Sequence, residues 1–458
     1  MRVVVLGNGM AASRLVDELL ARDVPGLELT VVGDEPAPAY NRILLSAVLE
    51  GTHPEGEIAL QDPALLGRRG VRLVVGTRVA ELDRAACEVV LEDGRRLPYD
   101  RVVLATGSIP TLPPIRGVVT PEGRLHPKVH SFRSLADCRR LDVAIPGARR
   151  AVVVGGGLLG LQVARALGVR GLEVDVVEGT SHLLSSQVGE QAGALLARSL
   201  RQLGAEVHTH TRAVRMSDAG LRLDNGYTLP ADLVVLTAGG RPATAIARRA
   251  GLFVRRGVVV DARLCSVTDE RVHAVGDCAE HGGRVDGLVS PAWEQTRVLA
   301  AVLAGEEARY DGSRTVARLR ASGLDVAVLG DPERTEGAAV VMANPLTGSY
   351  RKLVVRGGVV EAAVLVGDLS RVGLLTQLFD RRTVLGPDEP GLLLAGDAPA
   401  ETAPLPDETE VCACAGVTAG RIRACPDLAS AVADTRATTG CGGCTGVVKE
   451  LVGAFDPL

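Results

Sequence analysis

The pattern that most restricts this chain is written twice, 148 residues apart. A short apolar run, Val3-Val4-Val5-Leu6, enters Gly7-Asn8-Gly9-Met10-Ala11-Ala12 and continues with apolar residues at Leu15, Leu19 and Leu20. Later, Ala151-Val152-Val153-Val154 enters Gly155-Gly156-Gly157-Leu158-Leu159-Gly160, followed by Val163, Ala164 and Leu167. Each copy reads as strand, glycine turn and helix, with Ala12 standing where the second copy has its third glycine. The first glycine permits a tight turn, and the next, Gly9 or Gly157, lets backbone approach a pyrophosphate at the positive end of the helix. A further strand then ends in acid: Leu27–Val32 at Gly33-Asp34-Glu35, and Glu173–Val177 at Glu178. A carboxylate there accepts hydrogen bonds from ribose hydroxyls. At Glu178 it also repels a 2′-phosphate and so favours NADH over NADPH, although Arg170 lies nearby. The repeated order argues an α/β fold with two Rossmann-like dinucleotide-binding domains on parallel sheets.

A chain of 458 residues has room for about three domains and ample buried core. Its 46% hydrophobic and 23% charged content is ordinary for a globular protein, and a net charge of −4 gives no reason to expect nucleic acid or an anionic membrane as partner. No apolar run approaches the roughly 20 residues that span a bilayer. The chain opens directly on an apolar strand without a leader pattern, so a cytoplasmic location is expected. In that compartment cysteines serve as metal ligands or redox groups more often than as structural disulfides. Cys87, Cys138, Cys265, Cys278 and Cys425 are scattered and read as small buried residues.

Pro36-Ala-Pro-Ala-Tyr40-Asn-Arg42-Ile-Leu-Leu-Ser46 resembles the P-x-Y-x-R-x-x-L-S signature of flavin-dependent pyridine-nucleotide oxidoreductases of the ferredoxin-reductase and nitrite-reductase type. By that resemblance Asp34 and Glu35 meet the ribose of FAD and Arg42 its pyrophosphate. Ala47 stands where many ferredoxin reductases have lysine, so the Y-N-R-x-L-L-S form is closer to the nitrite- and nitrate-reductase branch. Ala105-Thr106-Gly107 resembles the family's turn between domains. Ala238-Gly239-Gly240-Arg241-Pro242 resembles its second crossover, with one residue fewer before proline. Thr268 through Gly276-Asp277 matches the terminal FAD motif, where the aspartate holds the ribityl or phosphate region. Pro291-Ala292-Trp293-Glu294-Gln295 resembles the segment at the flavin's pyrimidine edge, although Trp293 could equally be core. The first stretch, 1–110, carries only Cys87, not a cysteine pair, so dithiol chemistry is not expected. The implied layout is glutathione-reductase-like: a discontinuous FAD domain (1–110 and 245–310), an NAD domain (111–244) and a small α/β interface domain (311–385).

The last stretch has its own logic. Cys412-Ala413-Cys414 and Cys441-Gly442-Gly443-Cys444 place four thiols in two tight pairs. Small residues around them let backbone N–H groups approach sulfur. The spacing resembles the bacterioferritin-associated-ferredoxin type of [2Fe–2S] module (410–458), although the gap between the pairs is a few residues shorter. The same four cysteines could instead hold structural zinc. Between Pro387 and Glu410 lie five prolines and seven acids with no Lys or Arg, which reads as an extended, solvated linker over 386–409. It could let the cysteine module move, or the module could stay docked.

Taken along nearly its whole length, the chain resembles the NADH-dependent electron-transfer subunits of assimilatory nitrate reductases and the front half of NADH nitrite reductase large subunits. The resemblance implies an FAD-dependent oxidoreductase passing electrons from NADH through FAD and a [2Fe–2S] cluster to the catalytic subunit of a nitrate or nitrite reductase. No further cysteine set for a sirohaem domain follows, so nitrate or nitrite chemistry is expected on the partner. A homodimer is possible. Two other readings stay open: a reductase of ferredoxin or rubredoxin type, and a redox-sensing flavoprotein. No catalytic His or carboxylate pair stands out, as expected where bound cofactors carry the chemistry.

Overall fold

The computed structural model describes residues 1–321, 323–395, 405–412, 415–438 and 444–453. Two compact units emerge: Met1–Arg42 with Pro54–Thr111 and Gly240–Thr315, and Ile43–His53 with Leu112–Gly239 and Val316–Leu458.

In the first unit, Arg2–Leu6 pairs in parallel with Glu28–Val32 on one side and Arg101–Leu104 on the other. Val3 to Leu6 are all buried, as a run covered on both faces requires. The sheet extends in parallel to Val71–Val74 at one side and to Asp269–Ala274 at the other, then through Cys265–Ser266 and Val258–Val260 to Ala279–His281, eight strands in all. The helices Met10–Ala21 and Val289–Leu303 pack together, and Leu15, Val16, Leu19 and Leu299 join the sheet's apolar core. The strand, glycine turn and helix read from the sequence are therefore present.

The second unit repeats that plan in a five-stranded parallel sheet: Ala205–His208, Glu173–Val177, Arg150–Val154, Leu233–Leu236 and Val129–Ser131. The helix Leu158–Val169 follows the second glycine turn. A second, antiparallel sheet contains Val316–Ala321, Leu324–Leu329, Val359–Val366, Ser349–Arg356 and Ala338–Asn344 in that spatial order, with the helix Val372–Arg381 against it. This sheet and helix lie within residues 311–385. At the end, a two-strand pairing of Glu410–Cys412 with Val417–Thr418 precedes three short helices, Ala419–Arg423, Leu428–Thr435 and Thr445–Leu451.

Two features depart from the sequence reading. Residues 43–53, inside the first expected domain, belong to the second unit. Leu45 and Leu49 are buried there, the helix Leu45–Glu50 packs on Leu158–Val169, and Glu50 forms an ion pair with Arg165. The proposed linker also does not begin extended. Glu389–Ala395 is a helix that buries Pro390 and Leu394 against the antiparallel sheet. A proline in the first turn of a helix loses no hydrogen bond, so its presence does not force an extended chain.

Candidate functional site

The first glycine turn is fixed by what lies behind it. Gly7 has φ +115°, and a Cβ there would overlap the carbonyl oxygen of Ala105. Gly9 caps the Met10–Ala21 helix without a side-chain hydrogen bond, and the first turn holds no acid. The helix's leading N–H groups thus keep their positive field open to an anion. Arg42 reaches this spot, its Nε 3.9 Å from where a Gly9 Cβ would stand. The same guanidinium pairs with Glu35 and lies 4.9 Å over the Tyr40 ring, while Tyr40 donates to the other Glu35 oxygen at 2.8 Å. Asn8 packs on Gly33, where a Cβ would come within 2.6 Å of its own, and the buried Asn8 Nδ2 has no partner among the described residues. An open helix end, an arginine and an orphaned amide donor together fit a diphosphate.

The later segments close on the same turn. Ala12 is fully buried against the sheet. Thr106 donates to the Ala243 carbonyl at 2.7 Å, Gly107 takes φ +66°, and Ser108–Pro110 pairs with Gly240–Pro242. Gly276, at φ +74°, brings the terminal motif against the first helix: a Cβ there would lie 3.1 Å from that of Ala11. Ser108 donates to Asp277 at 2.6 Å. Gln295, read from sequence only as the end of the Pro291–Gln295 segment, accepts the Gly276 N–H with its Oε1 at 2.7 Å and ties the returning helix to the turn. Trp293 is half-buried rather than core, with Arg14 5.6 Å from its ring centre, and its Nε1 has no partner among the described residues. Glu294 accepts from Ser313 at 2.7 Å. Asp34 is exposed beyond Gly33.

In the second unit Gly155 has φ +119° with the Thr237 carbonyl oxygen 2.7 Å from its Cβ position. A Cβ on Gly160 would overlap the Gly155 carbonyl oxygen, so the helix meets the turn only because that position is bare. Gly157 caps Leu158–Val169, again without a side-chain bond or an acid in the first turn. Glu178 bends back to this turn: one oxygen accepts the Gly156 N–H at 2.6 Å, the other the Thr180 N–H and hydroxyl, each at 2.8 Å. Arg170 is held elsewhere, bonded to Asp142 and to the Leu49 carbonyl, each at 2.7 Å. Gly239 takes φ +83° at the end of this unit's central segment.

Of the four cysteines near the end, Cys412 and Cys444 are buried in one small apolar cluster with Val417, Ile422, Ala431, Ala437 and Val448. The first and last of the four are thereby held in one small core. Cys414 and Cys441 lie outside the described residues. Among the described residues no group of three or more potential metal ligands occurs. Cys425, in the bend after Ala419–Arg423, bonds the Arg421 carbonyl and packs, half-buried, against the same cluster.

With two such turns in hand, comparison with known proteins decides the family. Residues 1–307 match the pyridine nucleotide-disulphide oxidoreductase model. The chain belongs to this family. Residues 316–383 match the rubredoxin NAD+ reductase C-terminal domain, which covers the antiparallel sheet and the helix against it. FAD and NADH are the cofactors that this membership supports, for an FAD-dependent oxidoreductase. The nitrite reductase (NADH) large subunit of Escherichia coli (strain K12) is 32% identical over 475 residues, covering 99% of this chain and 55% of that protein. The assimilatory nitrate reductase electron transfer subunit of Bacillus subtilis (strain 168) is 32% identical over 473 residues, covering 98% and 59%. The chain thus spans little more than half the length of these curated relatives. Among solved structures, the covalent putidaredoxin reductase–putidaredoxin complex superposes with a TM-score of 0.77 at 26% identity, covering 86% of this chain and 95% of that one. Among the described residues no helix is long and apolar enough to cross a membrane.

Proposed function

We propose that this family member is an NADH:acceptor oxidoreductase that delivers electrons, through FAD and a [2Fe–2S] cluster, to the catalytic subunit of a nitrate or nitrite reductase in the cytoplasm. The observation that carries this reading is the likeness to an assimilatory nitrate reductase electron transfer subunit, which runs through 98% of the chain and so includes the cysteine tail.

Bound FAD and a cluster would together supply the exchange between two-electron hydride chemistry and one-electron transfer. The chain's own part is binding and orientation. Gly7, Gly9 and the N-terminus of Met10–Ala21, with Arg42, would hold the FAD diphosphate; Asp34 and Glu35 would meet the adenosine ribose. Ala105, Thr106, Gly107, Gly276 and Asp277 would line the rest of the flavin, with Trp293 and Glu294 at its pyrimidine edge, and Gly239 would serve cofactor binding from the second unit. Gly155, Gly157 and Gly160 would hold the coenzyme diphosphate and Glu178 its ribose. Cys412, Cys414, Cys441 and Cys444 would ligate the cluster. The discontinuous FAD domain, the inserted NAD domain, the interface domain and the cysteine module remain our division of the chain.

The test is an anaerobic titration with NADH of the cofactor-loaded protein, followed by visible absorption and EPR, with iron and zinc measured on the same sample. Flavin bleaching together with a reduced [2Fe–2S] signal supports the reading. Bleaching with zinc and no EPR signal would remove the electron-exit role of the cysteine tail. The match of residues 316–383 to a rubredoxin reductase domain favours a second reading, delivery to a ferredoxin or rubredoxin. Reduction of those proteins but not of a nitrate or nitrite reductase would select it.

A further inference from the structure

Past Glu178 a second segment comes alongside. The stretch from His208 to Arg212 is laced to Glu178–Thr180 by three backbone bonds: Glu178 N–H to the His208 carbonyl at 2.8 Å, His210 N–H to the Thr180 carbonyl at 2.8 Å, and Thr211 N–H to the Glu178 carbonyl at 3.1 Å. His210 takes φ +52°, a left-handed turn uncommon outside glycine. Arg212 is pinned next, its N–H bonded to Asp224 Oδ1 at 3.1 Å and its carbonyl accepting the Asp224 N–H at 2.9 Å.

The side chain of Arg212 then crosses the residue that follows Glu178. Its Cγ and Nε lie 3.1 and 3.2 Å from where a Gly179 Cβ would stand. Position 179 is therefore bare where the arginine passes. Arg212 is exposed, and its guanidinium makes no ion pair or hydrogen bond among the described residues. Asp224, the carboxylate next to it in the fold, is engaged by its backbone N–H instead. Glu178, the group that should reject a 2′-phosphate, already accepts from Gly156 and twice from Thr180. Three donors spread its charge and draw it back toward the glycine turn.

We propose that Arg212 builds a phosphomonoester subsite beside Glu178, so that the site accepts the 2′-phosphorylated adenosine of NADPH as well as the 2′-hydroxyl of NADH. A guanidinium presents a planar fork that matches two phosphate oxygens, a contact worth more than a point charge and sensitive to salt. This inference rests on the coenzyme reading of the second glycine turn and extends the NADH binding expected from Glu178 to NADPH.

The experiment uses the flavin-loaded full chain and two fragments that transfer no hydride, ADP-ribose and 2′-phospho-ADP-ribose, titrated by calorimetry. Both fragments should bind wild type with affinities within about tenfold of each other. Arg212→Ala should weaken the 2′-phosphate fragment by about tenfold or more while changing ADP-ribose by less than about threefold. Arg212→Lys should keep part of the discrimination, and Gly179→Ala, which crowds the arginine, should reproduce the loss. Equal weakening of both fragments by Arg212→Ala would overturn the subsite, as would wild type binding 2′-phospho-ADP-ribose more than about a hundredfold worse than ADP-ribose. If neither fragment binds wild type, the coenzyme reading falls and takes the subsite with it, a result distinct from selective failure of the phosphate arm.

Discussion

His273 lies in the central sheet of the first unit, 3% exposed, and neither ring nitrogen has a hydrogen-bond partner among the described residues. Burial first, and then the nearby positive charge of Arg101, press its imidazole from 6.5 down to about 4; the Leu264 backbone and Asp261 pull weakly the other way. The folded protein therefore keeps this ring neutral down to about pH 4, while the unfolded chain takes up a proton below about 6.5. Unfolding then binds a proton in that window, so stability present above pH 6.5 drains away as pH falls toward 4. At about 1.36 kcal/mol per pH unit the loss approaches roughly 3 kcal/mol and then levels off. His273→Leu removes the titration and leaves no buried polar group behind, so at pH 7.5 it should cost little. Urea unfolding of wild type and variant, followed through a first-unit probe at pH 7.5 and 4.5, should show the variant gaining about 2 to 3 kcal/mol relative to wild type at the lower pH. Parallel loss of stability in the two proteins would refute the argument and assign the acid sensitivity elsewhere.

Other substitutions test the two proposed cofactor sites separately. Gly7→Ala drives a methyl into the Ala105 carbonyl at a left-handed position and should yield protein purified with little flavin, read from its visible spectrum. Gly160→Ala overlaps the Gly155 carbonyl and should leave flavin bound while abolishing saturable NADH binding. Glu50→Gln removes the carboxylate charge facing the half-buried Arg165 and should cost about 1 to 3 kcal/mol in the second unit, visible as a lower urea midpoint. The double variant Glu50→Leu with Arg165→Leu should recover most of that loss, because two apolar side chains remove both charges together.

What could be read from sequence was whatever local geometry dictates. Gly7 and Gly155 announce themselves because only a residue without Cβ takes φ near +115° against a carbonyl, and the apolar runs beside them can only be buried strands. Glu178 was legible as an acid at a strand end. That its oxygens are bonded to Gly156 and Thr180 was not, since side-chain direction depends on the neighbouring loop. Arg170 looked relevant because it is near in sequence, but Asp142 and the Leu49 carbonyl hold it away. Arg212 lies 34 residues past Glu178 and reaches its neighbourhood only through three backbone bonds. Gln295 stood in a quoted segment, but its bond to Gly276 was not legible, because that bond exists only once a helix far along the chain returns to the first turn. The acid- and proline-rich run looked extended, yet Leu394, with Leu393 partly buried beside it, packs the helix Glu389–Ala395 onto the sheet.

The segment Ile43–His53 carries a consequence for the order in which the chain can be assembled. Its buried leucines and Glu50 are satisfied by Leu158–Val169, more than a hundred residues later in the sequence. At ~5–20 residues per second, a ribosome leaves that segment without its partner for roughly 6 to 25 s. The first unit is in the same position, because its strand Asp269–Ala274 emerges only after the whole inserted region. Neither unit can finish as its N-terminal part appears. During synthesis the apolar face of Leu44, Leu45 and Leu49 is a surface for chaperones to guard, and slow codons before residue 158 would lengthen the exposure.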